Sequence, residues 1–98
     1  MERRKDVFDC EHPVALITGS GAPRVGRSIA ACLAEQGYRI ALHANRSLNE
    51  AQQVAAELNS SGATRTLVTQ GPLQEDGVAQ RIVDQTVDHF ERLDVLVN

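Results

Sequence analysis

Lysine and tyrosine each occur once in these 98 residues, as Lys5 and Tyr38, and tryptophan is absent. Cysteine is nearly as scarce: Cys10 and Cys32 have neither metal-ligand spacing nor the density of a disulfide-stapled secreted domain, so both read as reduced thiols of a cytoplasmic protein. No run approaches the roughly 18 apolar residues of a membrane span, and MERRKDVFDCEHP at the N-terminus carries charge without the apolar core of a signal peptide. Positive charge is not in excess either. Ten basic against thirteen acidic side chains give a net charge of −3, which argues against a nucleic-acid or anionic-membrane partner. The three histidines, His12, His43 and His89, are scattered without i, i+4 pairing, so no metal is expected. What remains is ordinary for one globular unit: 42% hydrophobic and 23% charged residues.

Residues 1–12 open with charges of both signs and no periodicity, which predicts a flexible leader ending at Pro13, with a single domain over 13–98. VALIT at 14–18 is short, apolar and partly β-branched, and glycines follow at once, as for an inner parallel strand. Val25, Ile29, Cys32 and Leu33 then mark one face of a helix that stops near Gly37, with Cys32 expected in the core. YRIALHA at 38–44 predicts a second strand. Leu48, Ala51, Val54, Ala55 and Leu58 form the stripe of a second helix bounded by Ser47 and Gly62. TRTLVT at 64–69 predicts a third strand, broken by Gly71-Pro72 before a third helix outlined by Val78, Ile82, Val83, Thr86, Val87 and Phe90. LDVLV at 93–97 starts a fourth strand. The alternation predicts an α/β fold, a parallel sheet with crossover helices on both faces.

In such a sheet a ligand binds beyond the carboxyl ends of the strands, where the strand order reverses. The turn TGSGAPRVG at 18–26 is placed there. Gly19 and Gly21 permit close approach of a ligand to the main chain, Gly26 permits tight helix packing, and the helix N-terminus offers unpaired N–H groups to a phosphate. A purely structural turn is the alternative. A P-loop is excluded, since no Gly-Lys-Ser/Thr follows. After the second strand, where a fold binding the unphosphorylated dinucleotide places a carboxylate, this chain has Asn45, Arg46 and Ser47. A guanidinium beside a hydroxyl suits a 2′-phosphate, hence NADP(H) over NAD(H). Alternatively, Arg46 is a solvated loop charge and Ser47 a helix cap.

With these residues in one register, the chain from about 13 to 98 resembles the N-terminal part of the short-chain dehydrogenase/reductase family, with TGSGAPRVGRSIA standing where that family has T-G-x-x-x-G-x-G and LDVLVN where it has the start of N-N-A-G. The resemblance implies a Rossmann-type doubly wound parallel sheet, of which four strands and three helices fall in these residues. It further implies an oxidoreductase acting on a small-molecule substrate and a homo-oligomer at full length. Arg24 followed by VGRSIA, and GYRIALHANRS at 37–47, look most like the pteridine reductase branch, which reduces pterin-type substrates with NADPH. Carried onto this chain, the pattern implies cofactor contacts from Gly19, Ser20, Gly21, Arg24, Val25, Asn45, Arg46, Ser47, Leu73 and Asn98. Three departures stand out. The glycine turn is one residue longer than the family's, and Pro72 stands where the family commonly has an Asp facing the adenine amino group, leaving Leu73 to pack on the ring. The family's Tyr-x-x-x-Lys pair is also missing, since Leu42 lies four positions after Tyr38. These 98 residues are therefore expected to form the cofactor-binding part of a reductase, without catalytic residues of their own. The outer edge of the fourth strand is expected to pair with a second half or with another copy. A non-catalytic nucleotide-binding module, or an inactive fragment, is the alternative.

Overall fold

A computed structural model describes residues 12–18, 25–45, 48–60 and 65–97. Among these residues, four strands and three helices alternate: β1 (Val14–Ile17), α1 (Val25–Glu35), β2 (Arg39–Ala44), α2 (Leu48–Ser60), β3 (Thr66–Gln70), α3 (Val78–Phe90) and β4 (Val95–Val97). All strand pairings are parallel, and the order across the sheet is β3-β2-β1-β4. The expected α/β architecture is thus the observed one. β3 and β4 form the two sheet edges, and Leu96 on β4 is 59% exposed.

Strand residues alternate between two cores. Ala15, Ile17, Ile40 and Leu42 pack with Ala30, Ala34, Val54, Ala55 and Leu58 of α1 and α2. Leu16 and Ala41 point the other way and meet Ile82 of α3, flanked by Leu67, Val78, Val83, Phe90 and Leu93. Every residue of β1 is buried, as expected of a strand covered on both faces. Thr86, at the core-facing side of α3, satisfies its buried hydroxyl by donating to the Ile82 carbonyl at 2.8 Å.

Helix α1 ends as Gly37 predicts. Gly37 adopts φ 96°, its N–H donates to the Ala34 carbonyl at 3.0 Å, and the Tyr38 N–H donates to the Leu33 carbonyl at 3.1 Å, which together form a Schellman motif. The buried face of this helix differs from the expected one. Cys32 is exposed, its sulfur accepting from Gln36 Nε2 at 3.6 Å, while Ala30 and Ala34 are buried and Ile29 and Leu33 flank them. At about 100° per residue, Cys32 lies some 130° from the middle of the observed face. The face is centred on small side chains rather than on the large ones. The reading of Cys32 as core packing is corrected accordingly.

The leader expected at 1–12 lies outside the described residues up to residue 11. His12, its last residue, is bonded through Nδ1 to the Gly37 carbonyl at 2.9 Å, which ties the start of β1 to the end of α1. His89 lies in the last turn of α3, stacked edge-on against Phe90. Among the described residues no helix is long and apolar enough to cross a membrane.

Candidate functional site

The strand order places a topological switch between β1 and β4, because the chain leaves β1 for β2 and β3 on one side and returns to β4 on the other. A crevice opens at the carboxyl ends of strands at such a point. Thr18 stands at its floor. Its N–H donates to the Val97 carbonyl at 2.9 Å and its Oγ1 to the same oxygen at 3.3 Å, so the ends of β1 and β4 are joined there. The glycine-rich turn leaves from this point, and α1 returns from it at Val25.

Asn45 follows directly on β2 and is exposed at the same edge of the sheet. One strand further, Gly71 continues the pairing beyond β3: its N–H donates to the Ala44 carbonyl at 3.1 Å. Pro72 and Leu73 then turn the chain toward α3, and the Glu75 N–H closes the turn on the Pro72 carbonyl at 3.1 Å. Leu73 is 38% exposed, and with Leu16, Thr18, Ala79, Ile82, Val83 and Leu96 it lines an open cavity of about 210 Å³. Thr18 alone of these seven carries a polar side chain. The wall at Leu73 can offer dispersion and apolar contact to a flat ring, but Pro72 and Leu73 supply no side-chain acceptor for an amino group.

The structure therefore brings Asn45 and Leu73 to the edge where the glycine turn begins. Gly19, Ser20, Gly21, Arg24, Arg46, Ser47 and Asn98 lie outside the described residues, as does the side chain of Val25, whose backbone opens α1. Tyr38 is buried in the core beside α1, away from this edge.

Two residues near the site escaped the sequence reading. His43 is 2% exposed, and its Nε2 lies 2.7 Å from the Gly71 carbonyl. Since a carbonyl oxygen only accepts, Nε2 carries the hydrogen. Arg81 of α3 donates through Nη2 to the Gln70 carbonyl at 2.9 Å. A signal for His43 does exist. It interrupts the apolar run of the second strand at an inward position, and a buried polar side chain requires a partner.

These features define an α/β protein of the doubly wound, Rossmann-like class. Residues 13–98 match the short chain dehydrogenase family, and the chain belongs to it. It is 40% identical over 88 residues to the protein named ketoacyl reductase 2 of the granaticin polyketide synthase of Streptomyces violaceoruber, covering 90% of this chain and 33% of that protein. It is 35% identical over 103 residues to pteridine reductase 1 of Leishmania tarentolae, covering 88% of this chain and 35% of that one. A 3-oxoacyl-acyl-carrier-protein reductase of Staphylococcus aureus is 36% identical over 84 residues, covering 86% and 33%. The chain thus spans about a third of the length of the curated relatives it matches.

Proposed function

We propose that this chain is the NADP(H)-binding segment of a reductase, contributing the nucleotide crevice to an enzyme that transfers hydride to a small carbonyl or pterin-type substrate. The observation that carries the reading is the β3-β2-β1-β4 order, which sets the ends of β1, β2 and β3 along one edge. Thr18, Asn45 and Leu73 line that edge, and the glycine turn starts on it. The described residues fit the cofactor: an apolar wall at Leu73 suits the base, and Asn45 immediately precedes the Arg46-Ser47 pair. When bound, the dinucleotide supplies the hydride.

In this assignment residues 13–98 form the partial nucleotide-binding domain and residues 1–12 a leader. Gly19, Ser20 and Gly21 present main-chain N–H groups to the pyrophosphate, with Arg24 and Val25 at the start of α1. Arg46 and Ser47 hold the 2′-phosphate, Leu73 packs on the adenine, and Asn98 is a further cofactor contact. The full enzyme is read as a cytoplasmic homo-oligomer. No Tyr-x-x-x-Lys occurs in these residues, so the 98-residue chain by itself oxidises no NADPH.

The substrate branch has two supports of different kind. Arg24 and the HANRS segment at 43–47 favour a pteridine-reductase-like enzyme, whereas the 40% identity to a protein named as a ketoacyl reductase favours a ketoacyl substrate. The cofactor assignment is common to both. It is tested by calorimetric titration of the chain with NADPH and NADH, before and after Arg46→Ala. NADPH is expected to bind more tightly, and the substitution to cost it about 10- to 100-fold with little change for NADH. Equal affinities that the substitution leaves unchanged would remove the 2′-phosphate assignment.

A further inference from the structure

His43 is the buried polar group that the cofactor reading does not use. It lies on β2 one residue before the strand ends, paired in register with Thr69 of β3, and its ring reaches past that strand to the Gly71 carbonyl. The same short segment is held at three further points. The Gly71 N–H bonds the Ala44 carbonyl, the Thr69 hydroxyl donates to the Leu42 carbonyl at 3.2 Å, and Arg81 from α3 bonds the Gln70 carbonyl. Packing closes around it as well. A Cβ at Gly71 would stand 2.5 Å from Arg81 Nη2 and 2.8 Å from Val78 Cγ1, so the main chain is pressed against the first turn of α3.

The segment 69–71 is thus tied to β2 on one side and to α3 on the other. Leu73 lies two residues beyond Gly71, and its place on the cavity rim is set by the peptides between them. We propose that His43 is a positioning residue: its Nε2–H, bonded to the Gly71 carbonyl, fixes the β3–α3 turn so that Leu73 stands as the wall on which the purine base of the dinucleotide rests. The role rests on the cofactor reading above. With Pro72 rather than a carboxylate directly before Leu73, placement of the base depends on the shape of the apolar wall, and that shape depends on the backbone His43 holds.

The test compares His43→Gln with His43→Asn. The amide nitrogen of Gln is as many bonds from the main chain as Nε2 and can still donate to Gly71, whereas that of Asn falls one bond short. Amide hydrogen exchange over residues 71–77 is expected to accelerate about tenfold in H43N and to stay near the parent rate in H43Q. Adenosine 2′,5′-bisphosphate, which carries the base, is expected to bind H43N about tenfold more weakly and H43Q nearly as well as the parent, while inorganic pyrophosphate binds all three within about twofold. Parent-like exchange in H43N overturns the latch, whatever binds. Faster exchange with unchanged bisphosphate affinity, or equal weakening of bisphosphate and pyrophosphate, overturns the base-positioning role. A parent chain that binds neither probe, yet loosens at 71–77 in H43N, refutes the cofactor reading and the positioning role while leaving the latch in place.

Discussion

Asp94 stands where β4 begins, and its carboxylate accepts the Val14 N–H at 2.8 Å while its own N–H donates to the Val14 carbonyl at 2.9 Å. The side chain extends the β1–β4 pairing by one bond that the backbone alone would not make. Arg92 clamps both carboxylate oxygens, at 2.8 and 2.7 Å. These contacts, the Arg92 bond foremost, hold the Asp94 carboxyl below its usual value near 3.8, against the opposing effect of burial. A carboxyl whose pKa is lowered by folding stabilises the fold fully above the unfolded value and loses that contribution as the pH falls through the folded one. Asp94→Asn should therefore cost about 1–3 kcal/mol in urea denaturation at pH 7, with the gap to the parent closing as the pH drops below the usual value. A gap that is the same at neutral and strongly acid pH would contradict this. Asp94 was read from the sequence only as part of an apolar strand, because its use depends on a partner 80 positions away.

At the scale of elements, the second and third helices follow their apolar stripes except at Val87, which was read as part of the third helix's inner face and is 38% exposed. Ala51, Val54, Ala55 and Leu58 are buried on α2, and Ile82 and Thr86 on α3. Helix α1 differs because it lies on the sheet through alanines, and a count of large apolar residues turned its face toward Cys32. Side-chain size at the contact, rather than hydrophobicity alone, decides which face is inward. Ala30→Leu is accordingly expected to destabilise by about 1–3 kcal/mol through overpacking. Cys32→Leu, on the outer side, should stay within about 0.5 kcal/mol. Thermal denaturation of the two variants checks this, and the reverse ranking would restore the Cys32-centred face.

For the whole molecule, the alternation of strands and helices along the chain was legible because short apolar runs and the 3.6-residue period carry it directly, whereas the order of the strands across the sheet was not. Of the candidate site, the positions of Asn45 and Leu73 were legible. Asn45 and Leu73 come to the expected edge because strand ends in a parallel sheet share that edge by construction. His43 carried a signal in its inward position, but its partner, like that of Arg81, is a main-chain carbonyl at or just beyond the end of β3 that no local pattern announces. The central claim is that the carboxyl edge of the sheet forms one nucleotide crevice. Backbone amide shifts recorded while NADPH is titrated into the isotopically labelled chain test it most directly. The largest changes are expected at Thr18, Asn45 and Gly71 to Leu73, together with the glycine turn, and the amides of Val14 and Asp94 at the opposite edge should hardly move. Changes confined to that opposite edge, or none at saturating NADPH, would contradict the account.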